Sequence, residues 1–174
     1  MKTKFNQSKI KLAVVSAIVA GSMGLSATSN AATATDSMAV STSVSMSCTI
    51  TAGAMTFASY DPTAGGAVDG SATIQSTCSK GGAAIITMGQ GSNASAGSTP
   101  AAPVRQMSNG DARLAYDIYS DADRSAAIGD TAETGLAVTG TGGAFGTAVY
   151  GRIPVGQAVG VGSLSDQVMI VVTF

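Results

Sequence analysis

Two stretches of this chain repeat with a period of two, and that period belongs to strands, whose successive side chains point to opposite faces. Near the amino end Met38, Val40, Thr42, Val44, Met46, Cys48 and Ile50 occupy every second position. At the carboxyl end Val168, Ile170, Val172 and Phe174 share one face, with Met169, Val171 and Thr173 on the other. An uncovered apolar strand leaves a row of unpaired N–H and C=O groups in water, which templates aggregation. Strands at chain ends also fray unless something ties them down. The run to Phe174 therefore predicts a docking partner, inside the fold or outside it.

Shorter alternations fill the interval. Residues 54–60, 72–78, 83–88, 112–119, 136–139 and 147–153 read as strands, most clearly where Leu114, Tyr116 and Ile118 alternate. Asp61-Pro62-Thr63-Ala64-Gly65-Gly66 and Lys80-Gly81-Gly82 read as turns, and 89–102 and 121–142 as small-residue loops. The first extended segment, 36–50, is long for one strand, since strands usually run to about five or six residues. Six to eight short antiparallel strands without a helix beyond residue 31 predict an all-β sandwich.

Residues 1–31 have the layout of a secretory signal. Lys2, Lys4, Lys9 and Lys11 precede a short apolar stretch, and Ser29-Asn30-Ala31 supplies small residues for cleavage. That stretch is too short and too interrupted to span a bilayer, so no stable membrane insertion is expected after cleavage. Four of the nine cations leave with the signal and none of the ten acids, so five cations face ten acids, a net of −5. Lys80, Arg105, Arg113, Arg124 and Arg152 are scattered, which argues against a nucleic-acid backbone as partner. Cys48 and Cys78 are the only cysteines, and an even pair in an exported chain is most simply one disulfide. A metal pair would need further thiols or histidine, and the chain has no histidine.

The absence of histidine also removes Ser/His/Asp and Cys/His catalysis. Asp121-Ala122-Asp123-Arg124-Ser125 begins like a calcium loop, but Ala126 stands where that loop needs glycine and Ala132 where it needs glutamate. The glycine-rich stretches 89–91 and 140–143 open no helix and so make poor phosphate sites. No catalytic residue, metal or cofactor is expected, and the chain does not read as an enzyme.

The order of several short motifs is more specific than any one of them. Phe57 with Tyr60-Asp61-Pro62, Cys78, Arg105-Gln106-Met107, Leu114-Ala115-Tyr116-Asp117-Ile118-Tyr119 and Asp121 come first. Gly129-Asp130, Tyr150-Gly151-Arg152-Ile153-Pro154, Gly162-Ser163-Leu164-Ser165-Asp166 and Val171-Val172-Thr173-Phe174 follow. Together they resemble the spore coat protein U domain family, which includes pilins of archaic, Csu-type chaperone–usher systems alongside a spore-coat protein. Ile128 and Leu164 depart from the aromatic residues usual there.

The resemblance implies an incomplete immunoglobulin-like antiparallel β-sandwich, completed by donor-strand exchange. Its groove would be filled first by a periplasmic chaperone and then by the extension of a neighbouring pilin subunit, delivered by an outer-membrane usher. On this basis 1–31 is the signal, 32–46 the donor extension and 47–174 the pilin domain. Met38, Val40, Thr42, Val44 and Met46 would form the donor strand, and Val168, Ile170, Val172 and Phe174 the groove edge and chaperone contact. The implied role is a structural subunit of a cell-surface pilus serving adhesion and biofilm formation. The alternative is a spore-coat or matrix protein of the same fold. Residues 38–46 could instead pair within their own domain as a first strand.

Overall fold

The computed structural model describes residues 31–174; the expected signal peptide lies almost wholly outside them. Nine strands follow in order: β1 (Cys48–Ala52), β2 (Thr56–Phe57), β3 (Val68–Cys78), β4 (Ala83–Met88), β5 (Arg105–Ser108), β6 (Arg113–Tyr119), β7 (Leu136–Thr139), β8 (Ala144–Ile153) and β9 (Ile170–Thr173). They form two antiparallel sheets. The larger runs β1-β3-β8-β6-β5, with β2 also on β3, and the smaller runs β7-β4-β9. No helix occurs among the described residues, so the expected all-β sandwich is what the chain forms.

The sheets face each other across one apolar core. Ile74, Val149, Ile153, Leu114, Tyr116 and Ile118 come from the larger sheet, Ile86 and Met88 from the smaller. Each follows from the two-residue period: in β6, Leu114, Tyr116 and Ile118 are buried while Arg113, Ala115 and Asp117 are not. Each large side chain so buried contributes about 1.5–3 kcal/mol. The long β3–β8 ladder, Val68 opposite Ile153 through Thr77 opposite Ala144, is the spine.

That spine contains one special seat. Gly70 and Gly151 are direct cross-strand partners. A β-carbon at Gly70 would lie 2.8 Å from Thr56 O and 3.0 Å from the Phe57 ring, and one at Gly151 would lie 2.6 Å from Phe57 Cζ. Side chains at either position would evict Phe57, which instead meets Tyr116 edge-on at 6.1 Å.

Several boundaries differ from the period-two reading; β2 is only Thr56–Phe57, and β3 begins at Val68 rather than at 72. The alternation from residue 36 does not become strand until Cys48. Its partner β3 ends at Cys78, opposite Cys48, and the chain then turns through Gly81 at φ +78°, so residues ahead of Ser47 have no ladder to join. Strand β8 starts at Ala144, ahead of Thr147, because β3 pairs with it that far. Strand β9 starts at Ile170, with Val168 ahead of it in irregular chain. Strand β5 has no alternating apolar pattern; Arg105 holds it. That side chain is buried and donates from Nε to Gly89 O (2.8 Å) and from Nη2 to Met88 O (2.7 Å) and Ile128 O (2.9 Å). Burial pulls its pKa down, and Tyr116, Asp117, Asp166 and Asp130 oppose that shift.

Cys48 and Cys78 are joined in a disulfide. The Asp121 carboxylate accepts from Ser125 N–H, Ser125 Oγ and Ala126 N–H, so it stabilises its own turn, and these bonds hold its pKa below the usual carboxylate value.

Candidate functional site

The sandwich is open along one side. A cleft of about 790 Å³ lies between the sheets, lined by Met55, Phe57, Ile74 and Val149 of the larger sheet and its β1–β2 connection, and by Met88 and Ile170 of the smaller. Val159, Leu164 and Val168, in the irregular chain before β9, line it too.

Strand β9 supplies the edge of this opening. It pairs with β4 alone, from Ile170 opposite Met88 to Thr173 opposite Ile85. The bond from Gly89 N–H to Met169 O (2.8 Å) sets the phase of that ladder. Alternate residues of an antiparallel strand address the same neighbour. Met169, Val171 and Thr173 therefore address β4, while the N–H and C=O groups of Ile170 and Val172 face the free edge. Among the described residues no strand pairs with that edge. Ile170 and Val172 also turn their half-buried side chains toward the core, whereas Met169 is 73% exposed on the outer face.

Side chains anchor the irregular wall that precedes β9. Gln157 behaves as a substitute strand: its Oε1 accepts from Ala115 N–H (2.7 Å), its Nε2 donates to Ala115 O (3.0 Å), and its own N–H donates to Tyr60 OH. Ser165 exchanges two main-chain bonds with Ser108. Asp166 accepts from Tyr116 OH (2.8 Å) and from both Asn93 nitrogens (3.1 Å each). Burial first, and this bond second, push the Tyr116 pKa up, so the phenol stays a neutral donor. Gly91, at φ +85°, leaves the space the Asp166 carboxylate occupies.

Of the residues expected at the groove edge, Val168 and Ile170 line the cleft and Val172 is half-buried beside it. Phe174 is 56% exposed at a separate shallow depression beside Ile85, Ala137 and Val138. Of the residues expected in the donor strand, Met38, Val40 and Val44 are 86–89% exposed, and Thr42 is exposed. Residues 31–41 carry no helix or strand, and neither do 42–47, which lead into β1. Met46 differs from the others: it is only partly exposed and lies over Gly82. Sequence reasoning missed Met55, Val159, Leu164 and Asp166 as parts of the cleft. All four lie in irregular chain, Met55 despite falling within the expected strand 54–60, and no local pattern marks a cleft lining there.

An apolar cleft with a free strand edge suits an extended peptide, which adds main-chain bonds along the edge and side chains into the cleft.

The model of the Spore Coat Protein U domain matches residues 34–171. Protein U of Myxococcus xanthus is 36% identical over 176 residues, covering 95% of this chain and 98% of that protein. Among solved structures the chain is similar to one in the CsuC–CsuE chaperone–tip adhesion subunit pre-assembly complex from the archaic chaperone–usher Csu pili of Acinetobacter baumannii. The TM-score is 0.50 at 21% identity, over 75% of this chain and 40% of that chain. At that identity the likeness is one of fold.

Proposed function

This chain belongs to the Spore Coat Protein U domain family, and from that premise we propose that it is a structural subunit of a cell-surface pilus. One combination carries the proposal: an open apolar cleft with an unpaired β9 edge, and an exposed period-two segment ahead of β1, on the same chain. The cleft lacks a strand and the segment lacks a sheet. A neighbour's Met38, Val40, Thr42 and Val44 entering the cleft satisfies both. It covers the apolar lining and gives Ile170 and Val172 main-chain partners. Residues 1–31 act as the export signal, a periplasmic chaperone fills the cleft until assembly, and an outer-membrane usher passes the subunits to the surface. Adhesion and biofilm formation are the roles such a fibre serves.

The family's own description favours a second assembly, a coat built from the same exchange. Electron microscopy of the cell surface distinguishes the two, since a pilus appears as filaments and a coat as a continuous layer.

Deleting 32–46 from the mature chain tests the exchange. We expect a folded subunit that still binds its chaperone but forms no polymer on release. Fibres made of the truncated chain alone would show that the segment is not the donor.

A further inference from the structure

The exposed segment does not hang freely from the domain. Immediately ahead of β1, three successive residues are fastened to the turn that follows β3. Cys48 is bonded covalently to Cys78. Ser47 donates its N–H to Ser79 Oγ (3.0 Å) and accepts from Ser79 N–H (2.9 Å). Met46 lies over Gly82, where a β-carbon would come within 2.7 Å of its Cε and 2.9 Å of its Sδ. Gly82 is itself fixed, donating its N–H to Ser79 O (3.0 Å) and accepting from Gly140 N–H (2.7 Å). Val44, two residues before Met46, is 89% exposed.

We propose that Met46, Ser47 and Gly82 form a collar that fixes the direction in which the segment leaves the domain. Met46 is then an anchor on its own subunit and not a donor residue for the next one. Gly82 is its seat, glycine because any side chain displaces the thioether. The consequence rests on the pilus proposal above. With Val44 seated in a neighbour and Met46 held at home, Ser45 is the only free link between successive subunits, so the fibre is stiff and its helical rotation defined.

The test has two independent parts. Backbone relaxation of the mature, unassembled subunit should give Ser47 an order parameter near the ~0.85 of rigid backbone, and Thr42 one below ~0.6. Gly82→Val, which crowds the seat, and Met46→Ala, which removes the anchor and leaves the turn untouched, should both lower the Ser47 value and leave β3 and β4 rigid. A wild-type Ser47 as mobile as Thr42 overturns the collar, as does a Ser47 unaffected by either variant. In the second part, the persistence length of assembled fibres, measured on micrographs, should fall at least twofold in Met46→Ala. Fibres of wild-type stiffness would overturn the link from collar to fibre. If the wild-type subunit forms no fibres, the pilus proposal fails while the relaxation result still decides the collar.

Discussion

Replacing Val44 by aspartate alters a side chain that is 89% exposed in the free subunit. Away from packed or bonded positions such changes stay within about 0.5 kcal/mol, so the variant should melt with the wild type. On the proposed exchange, the carboxylate would enter a neighbour's cleft whose lining includes Phe57, Ile74 and Ile170. It escapes by taking up a proton, which from an ordinary pKa of about 3.9 costs roughly 4 kcal/mol at pH 7. Forfeiting most of the ~1.5–3 kcal/mol of a buried valine brings the penalty to about 5–6 kcal/mol. That is roughly 10⁴-fold in affinity. A synthetic 32–46 peptide competing against assembly of the mature subunit measures it, as the ratio of inhibitory concentrations for wild type, Val44→Asp and Ser43→Asp. The bound aspartate has the raised pKa, so lowering the pH favours binding. The deficit should shrink about tenfold per unit from pH 7 toward pH 4. Ser43→Asp, on the opposite face, should be mild and nearly independent of pH. Equal inhibition by the two variant peptides, or a Val44→Asp deficit that ignores pH, would refute the proposed face.

Three further outcomes concern the domain itself. Replacing Cys48 and Cys78 together by alanine should cost about 3–4 kcal/mol, from the freedom regained by a loop of 30 residues, and is read from thermal melts. Arg105→Met strands the carbonyls of Met88, Gly89 and Ile128 at about 1–3 kcal/mol each, and no longer desolvating a guanidinium partly offsets this. A net loss near 3 kcal/mol is expected in the denaturant midpoint at unchanged slope; a loss under 1 kcal/mol would mean that the guanidinium is not what holds β5. The hydrogen bond from Arg152, joined by the charge of Arg124, lowers the Asp69 pKa below 3.8, so its contribution is present above that value and lost as the pH falls through the folded value. Both partners are solvent-accessible and the effect is small, but Asp69→Asn should flatten the melting temperature against pH below about 4.

Much of the sheet structure was legible along the chain. Leu114, Tyr116 and Ile118 mark β6 because alternate burial writes a two-residue period into composition, whatever the sheet order. The cysteine pair was legible for a similar reason, since a lone pair behind an export signal has one simple use. Strand β5 was not legible, because it is held by a buried guanidinium whose carbonyl partners come from the end of β4 and from Ile128. The cleft was legible only at Val168 and Ile170; no local pattern marks Met55, Val159, Leu164 or Asp166 as part of a cleft.

The same period at 38–46 and at 168–174 met opposite fates. A strand needs a partner as well as a pattern, and partners are assigned by where other strands stop. Because β3 ends at Cys78, the alternation before Met46 has no strand to pair with and stays exposed, while β4 passes close enough to take up Ile170 to Thr173. The sequence by itself determined that these segments are able to be strands and that the lone pair Cys48 and Cys78 is suited to one disulfide. Only the tertiary structure decided which edge of β9 is left open, that Met46 is tethered where Val44 is free, and that Phe174 lies outside the cleft. Those depend on the ends and phases of ladders between distant residues, which no local pattern records.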